Sequence, residues 1–200
     1  MSEIKRVGAV VAAAGLSSRM GEFKPLLPFD GETVIERCIS NLYGAGASTI
    51  VVVTGHRAEE LADYLEESGV TLVHNAAYAE TEMFDSLCLG LRALPADCEK
   101  ILLTPGDVPL VRAGTIRALL AADAGFACPI CAGRRGHPVV LDAAWRDAVL
   151  HYGGDGGLRG AVKALEIPTA EIEVADPGML LDLDTPADYR TALGLLGEDI

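Results

Sequence analysis

Positive charge is scarce in this 200-residue chain: 16 Lys and Arg stand against 29 Asp and Glu, for a formal net charge of −13. That balance argues against a broad hold on nucleic acid, because a phosphate backbone is gripped by a surface rich in Lys and Arg. An acidic protein that handles a polyanion must bring positive charge in locally, with a few placed cations, backbone N–H groups and a metal ion. Aromatic residues are few as well, 5% of the chain, while half of all residues are hydrophobic. The core is therefore expected to be full and built mainly from Ala, Val and Leu. Long apolar runs are missing. Near the N-terminus the longest, Val7–Ala14, falls far short of the ~20 residues that cross a bilayer. Its mixed-charge lead lacks a signal-peptide layout, so a cytoplasmic protein with no membrane partner is expected.

A disulfide framework is also lacking. The five cysteines, Cys38, Cys88, Cys98, Cys128 and Cys131, are odd in number and irregular in spacing. Cys128-Pro-Ile-Cys131 is a C-x-x-C, but it lies in an apolar run, Gly125–Ala132, that reads as a strand. A redox pair needs a helix N-terminus and a zinc site needs a second pair, so the reading is structural. Two nucleotide fingerprints are absent too. There is no G-x-x-x-x-G-K-[ST] and no G-x-G-x-x-G.

What is present is an alternation of strand and helix. Val7–Ala13, Ile50–Thr54, Val70–His74 and Lys100–Thr104 read as strands. Thr33–Tyr43, Ala58–Glu67, Phe84–Leu94 and Gly114–Ala122 read as helices between them. Repeated strand–loop–helix units predict an α/β protein, a three-layer α/β/α sandwich around a mostly parallel sheet. The second half is less regular. Phe126–Cys131 and Pro138–Leu141 flank a hairpin-like Gly133-Arg-Arg-Gly136. Helices are expected at Ala143–Leu150, Leu158–Leu165 and Pro186–Leu196, and short strands at Ala170–Val174 and Leu180–Leu183. Without an internal repeat or linker, residues 1–200 read as one domain, nucleotide-binding up to about residue 110 and substrate-facing beyond.

Ligands of such sheets bind beyond the carboxyl ends of the strands, which directs attention to four loops. The first follows Val7–Ala13. It holds Gly15 where backbone must turn or approach a ligand, the hydroxyls of Ser17 and Ser18, and the cations Arg19 and Lys24. N–H groups, hydroxyls and cations together are what a triphosphate requires. The alternative is a surface loop with two solvated cations. In the second, Thr104-Pro-Gly106-Asp107-Val-Pro, a carboxylate past a strand end suits Mg²⁺, unless it is only a turn Asp capping the next helix. Asp182 and Asp184 would share one face of the strand Leu180–Leu183 and its end, where Asp184 has the competing role of capping the helix after Pro186. Asn75 and Ser86 bracket the third loop, Ser86 near a helix start. The fourth region combines Gly133-Arg-Arg-Gly136-His137-Pro138 with Gly153-Gly-Asp155-Gly-Gly-Leu-Arg159, readable as a solvated hairpin and a helix start. His56 ends a strand, while His74 and His151 read as structural or exposed.

The pattern Ala13-Ala14-Gly15-x-Ser17-x-Arg19-Met20-Gly21-x-x-Lys24 resembles the signature of the MobA-like nucleotidyltransferases. The Ala-Ala-Gly form is closer to the cytidylyltransferases than to the guanylyltransferases. The hairpin and the Gly153–Arg159 segment resemble the subgroup acting on the molybdenum cofactor, with Leu158 in place of a usual Ala. The resemblance extends over essentially the whole chain. It implies a Rossmann-like fold of the nucleotide-diphospho-sugar transferase type and Mg²⁺-dependent transfer of CMP from CTP to the phosphate of molybdopterin, with pyrophosphate released. It further implies that Ala13, Ala14, Gly15, Ser17, Ser18, Arg19, Lys24, Asn75, Ser86 and Gly106 hold the nucleotide. Arg19, Lys24 and Asp107 would be catalytic, and Asp107 with Asp182, ahead of Asp184, would hold the metal. His137, Pro138, Asp155 and Arg159 would face the acceptor, and the product would pass to a molybdoenzyme or its chaperone. Competing readings are a guanylyltransferase for the same cofactor, a cytidylyltransferase for a sugar, polyol or alcohol phosphate, and a non-enzymatic cofactor-binding protein.

Overall fold

The computed structural model describes residues 6–196; the two ends of the expected 1–200 unit lie outside them. Four strands of the first half lie in the main sheet, β1 Val7–Ala13, β4 Thr49–Thr54, β5 Thr71–His74 and β6 Lys100–Pro105, and β7 Phe126–Cys131 lies further along it. Between β1 and β4 the short pair β2 Pro28–Phe29 and β3 Glu32–Thr33 forms a separate hairpin. The main sheet runs β10–β7–β9–β6–β1–β4–β5, with β10 at Thr169–Glu173 and β9 at Val139–Asp142. β8, Arg134–Arg135, pairs with β7.

β1 is parallel to both β4 and β6, and β4 is parallel to β5. Strands covered on both faces need apolar side chains in both directions, which is why β1 reads as an unbroken apolar run. Val7, Ala9, Val11 and Ala13 face one cluster, with Ile35, Ile39 and Leu42 of α1 (Val34–Gly44) and Ile116 and Leu119 of α4 (Ala113–Leu120). Leu61 and Leu65 of α2 (Ala58–Leu65) join that layer. Val10 faces the other way, onto Leu87, Leu91 and Leu94 at α3 (Met83–Ala93). At Gly90 the α3 backbone comes so close to β1 that a Cβ would stand 2.2 Å from Val10 Cγ1. Among the described residues no helix is long and apolar enough to cross a membrane.

The second half departs from simple alternation. β9 runs antiparallel between β6 and β7. The hairpin joins β7 to β8 through Ala132 and Gly133, whose φ values of 49° and 74° are those a tight two-residue turn demands. The helix expected over Ala143–Leu150 is a 3₁₀ turn, Ala143–Trp145, followed by α5, Arg146–Leu150. α6 (Gly157–Ala164) and α7 (Pro186–Leu196) form near their expected places.

One expected element is absent. Leu180–Leu183 is no strand: a 3₁₀ turn, Pro177–Leu180, leads into extended chain outside any sheet. Its apolar residues serve two different clusters. Leu180 packs against the first core, while Leu183 is fully buried with Met20, Leu27, Phe29 and Ala192. The segment is held by two packing partners rather than by a ladder. Asp176, 1% exposed, pins this segment down. Its Oδ2 accepts from the Arg112 N–H at 2.9 Å and the Thr115 hydroxyl at 2.6 Å.

Candidate active site

The end of β1 and the end of β6 are adjacent in register, Ala12 beside Pro105, and the Gly106 N–H donates to the Ala12 carbonyl at 2.9 Å. Two loops therefore leave the sheet side by side. The loop after β1 is anchored by burial of Met20 and Phe23. Within it Ser17 takes a left-handed φ of 52°, its carbonyl accepts from the Met20 N–H at 3.0 Å, and its hydroxyl from the Lys24 N–H at 3.4 Å. Those constraints aim Lys24 inward. Its Nζ donates to Asp107 Oδ2 at 2.7 Å and to Asp184 Oδ1 at 3.2 Å, with only 11% of the side chain exposed. Arg19 reaches Asp184 Oδ2 at 2.9 Å, but its side chain is 70% exposed, so that pair adds little to stability.

The acidic segment is held against this cluster by its backbone. The Leu183 N–H donates to the Asp107 carbonyl at 3.0 Å, and the Asp184 N–H to the Asp182 carbonyl at 2.9 Å. Asp184 does not cap α7. Thr185 does so, its hydroxyl accepting from the Asp188 N–H at 3.2 Å while Asp188 Oδ2 accepts from the Thr185 N–H at 2.8 Å. That leaves Asp184 to the site. The Asp182 carboxylate forms no hydrogen bond or ion pair among the described residues. Desolvation, followed by the negative charges of Asp107 and Asp184, pushes its pKa up to about 6. The residue keeps an exposed surface.

Ala13, Ala14, Gly15, Ser17, Lys24, Ser86, Gly106 and Asp107 line one cleft of about 200 Å³. Its far wall is Tyr78 and Thr81–Met83; of these, Tyr78, Thr81 and Glu82 carry no signal in the sequence. Asn75, 3% exposed, stands behind that wall. Its Nδ2 donates to Thr81 Oγ1 at 3.0 Å and Ser86 Oγ at 3.1 Å, and its Oδ1 accepts from the Ala77 N–H at 3.1 Å. It therefore organises the wall with both ends of its amide. Ser18 lies outside the cleft, in a neighbouring hollow with Phe23, His56 and Arg57.

Of the residues expected to face an acceptor, His137 has its Nδ1 buried with no hydrogen-bond partner. Burial lowers its pKa, and the charge of Asp107 acts in the opposite sense. Its N–H donates to the Met179 carbonyl at 3.2 Å, which ties the hairpin to the acidic segment; the buried Pro138 follows through a cis peptide bond. The two hairpin arginines diverge. Arg135 pairs with Glu171, with Nε 2.7 Å from Oε1. Arg134 has no such partner among the described residues, and its charge is felt at Asp182. Asp155 lines a second, larger cavity beside the cleft. Arg159 lies on the exposed side of α6, lines neither cavity, and its charge is felt at Cys128. Cys128 and Cys131 are free thiols.

A cleft of strand-end backbone, a buried ammonium and facing carboxylates defines a site for phosphoryl-group chemistry on a nucleotide. The MobA-like NTP transferase domain matches residues 9–169, and the chain belongs to that family. It is a nucleotidyltransferase of the nucleotide-diphospho-sugar transferase fold. The chain is 32% identical over 190 residues to the molybdenum cofactor cytidylyltransferase of Escherichia coli (strain K12), covering 93% of this chain and 95% of that protein. Among solved structures, a nucleotidyl transferase from Methanothermobacter thermautotroptrophicus (Mth528) superposes with a TM-score of 0.83 at 29% identity, covering 97% of this chain and 99% of that one. Rv0371C of Mycobacterium tuberculosis H37Rv, solved in complex with manganese, gives 0.77 at 25% identity, over 96% and 100% of the two chains.

Among the described residues no group of three or more His, Cys, Asp or Glu side chains is arranged to hold a metal alone. The donors at hand suit an ion that takes only one or two protein carboxylates and fills its shell with phosphate oxygens and water, as Mg²⁺ does.

Proposed function

We propose that this enzyme transfers CMP from CTP to the phosphate of molybdopterin or its molybdenum-bearing form, releasing pyrophosphate, in the cytoplasm and with Mg²⁺ as cofactor. The observation that carries the reading is the Lys24 ammonium held between Asp107 and Asp184 at the mouth of a cleft floored by Ala13–Gly15. The likeness to a molybdenum cofactor cytidylyltransferase over nearly the whole chain supports the choice of nucleotide and acceptor.

In the reaction an oxygen of the acceptor phosphate bonds to the α-phosphorus. The bond from that phosphorus to the bridging oxygen of the β-phosphate breaks, and pyrophosphate departs with the electron pair. The acceptor phosphate is already ionised near neutral pH, so alignment and charge neutralisation are needed more than a strong base. Backbone N–H groups around Gly15 and Ser17 hold the triphosphate. Lys24 and Arg19 neutralise charge that grows on the leaving pyrophosphate. Asp107 with Asp182 would hold Mg²⁺, which supplies charge neutralisation across the triphosphate oxygens. Of the three carboxylates, Asp107 and Asp184 pair directly with Lys24, and Asp182 forms no direct ion pair among the described residues. Arg134, unpaired beside it, draws in the acceptor phosphate.

The test is a panel of CTP, GTP, ATP and UTP with purified molybdenum cofactor as acceptor, read as pyrophosphate release. CTP-dependent release that needs both acceptor and Mg²⁺ is expected. Release with GTP alone, or only with a sugar or polyol phosphate as acceptor, overturns the assignment.

A further inference from the structure

The cleft lies between two faces far apart in the chain, the loop after β1 and the wall that carries Tyr78. Between them runs the exit of β4, Gly55-His56-Arg57. Backbones crowd together there. A Cβ at Gly55 would stand 2.6 Å from the Ala14 carbonyl oxygen on one side and 2.6 Å from Tyr78 Cβ on the other. The His56 N–H donates to that same Ala14 carbonyl at 3.3 Å. The imidazole ring continues the wedge. Its centroid lies 6.1 Å from that of Phe23, edge-on at 74°, and 6.1 Å from that of Tyr78, tilted at 50°. Both separations fall in the range over which rings attract. Arg57 takes a left-handed φ of 52°, and its guanidinium carbon stands 4.8 Å over the Phe23 ring.

The two ends of this stack are held differently. Phe23 is buried in the first core beside Ile35, one residue before Lys24. Tyr78 lies on the cleft wall, with its backbone N–H donating to the Asn75 carbonyl at 3.2 Å. Further along that wall the Asn75 amide holds Thr81 and Ser86. It does not hold the Tyr78 side chain, whose ring packs on His56 instead. His56 itself does not line the cleft. It lines the hollow on the other side of the loop, with Ser17, Ser18 and Phe23. Any effect it has on a ligand in the cleft therefore passes through Tyr78 and the loop.

We infer that His56 is a positioning residue, whose ring, wedged between Phe23 and Tyr78, sets the spacing of the two cleft faces and with it the affinity for the nucleoside triphosphate. The role needs the shape of the ring rather than its nitrogens, because both side-chain contacts are ring contacts. The inference rests on the nucleotide assignment made under Proposed function and adds to it a residue outside the cleft. His56 touches neither Lys24 nor the carboxylates, so turnover with the cleft saturated should survive its loss.

The test is a double-mutant cycle on the whole chain, with CTP affinity measured by calorimetry in the presence of Mg²⁺. The proteins are the wild type, His56→Ala, Tyr78→Ala, the variant carrying both changes, and His56→Phe. His56→Ala is expected to weaken CTP about tenfold, and Tyr78→Ala at least as much. Because His56 acts through Tyr78, the double variant should stay within about threefold of Tyr78→Ala instead of showing the product of the two losses. His56→Phe, which keeps a ring, should bind within about threefold of the wild type. In steady state KM for CTP should rise in His56→Ala while kcat stays within about threefold, a split that general loosening of the fold would not give. His56→Asn, polar but ringless, carries the same test if a thermal melt shows that Ala disturbs folding. The inference is overturned by unchanged CTP affinity in the ringless variants, by multiplied losses in the double variant, or by failure of His56→Phe to restore binding. A wild type that binds no CTP overturns the nucleotide assignment and this inference with it, whereas wild-type binding with multiplied losses overturns this inference alone.

Discussion

The two sides of the cleft are made in opposite ways. The side proposed to hold phosphate is one continuous stretch, from Ala13 to Lys24, that leaves a buried parallel strand and is anchored by Met20 and Phe23. The acidic side is assembled from pieces: Asp107 at the end of β6, and Asp182 and Asp184 from a segment far along the chain with no sheet partner. A local motif carries its own geometry. An assembled one depends on distant contacts, here the Asp176 carboxylate on Arg112 and Thr115 and the Leu183 N–H on Asp107.

Cutting the link between the sides should have the largest effect. Asp107→Ala and Lys24→Ala are each expected to lower kcat by about 10²–10³, the usual effect of removing one preorganised charged group. Circular dichroism should show the fold of Asp107→Ala unchanged, because that side chain is partly exposed and holds no buried scaffold. Wild-type turnover in Asp107→Ala would remove it from the mechanism.

Asp176→Ala tests the assembled side alone. It leaves a part-buried N–H and a buried hydroxyl without their acceptor, which should cost about 1–3 kcal/mol in a urea titration. The phosphate side should keep its triphosphate affinity in the folded variant, whereas acceptor-dependent turnover should fall. Equal losses in both would contradict the division.

The hairpin arginines sharpen the comparison further. Arg134→Gln is expected to lower kcat/KM for the acceptor on the order of tenfold, the loss of one charge-assisted contact. Arg135→Gln should change it little, because Arg135 pairs with Glu171 at the sheet edge. Steady-state kinetics at saturating CTP distinguish the two.

The smallest effect is on pH dependence. Asp182 sits at about 6 against an ordinary 3.8, so it holds its proton more tightly folded than unfolded. Its contribution to stability is therefore present at low pH and fades as pH rises through that window. Thermal melts of the protein without ligands, between about pH 4 and pH 7, should show this trend in the wild type and less of it in Asp182→Asn.

Strand–helix alternation made the parallel half of the sheet legible, because strands buried on both faces and helices with one apolar stripe have distinct periods. The same signal misread Leu180–Leu183. Leu180 enters one cluster and Leu181 and Leu183 another, and a one-dimensional apolar pattern does not separate that from a strand in a ladder. Asn75 and Ser86 were legible as a pair, but their roles were not. Only the structure puts Ser86 on the cleft wall and Asn75 behind it. Tyr78, Thr81 and Glu82 went unseen because nothing in their order marks them; the fold of the loop brings them opposite Lys24.

By itself the sequence determined that a loop carrying Gly15, Ser17, Arg19 and Lys24 follows the first strand, since the residues that shape it are neighbours in the chain and interact over short range. Tertiary structure alone decided which carboxylates face Lys24, that Thr185 rather than Asp184 caps the last helix, and that Arg134 and Arg135 diverge. Those outcomes depend on groups distant in sequence meeting at the carboxyl edge of one sheet, where packing, not proximity along the chain, sets their neighbours.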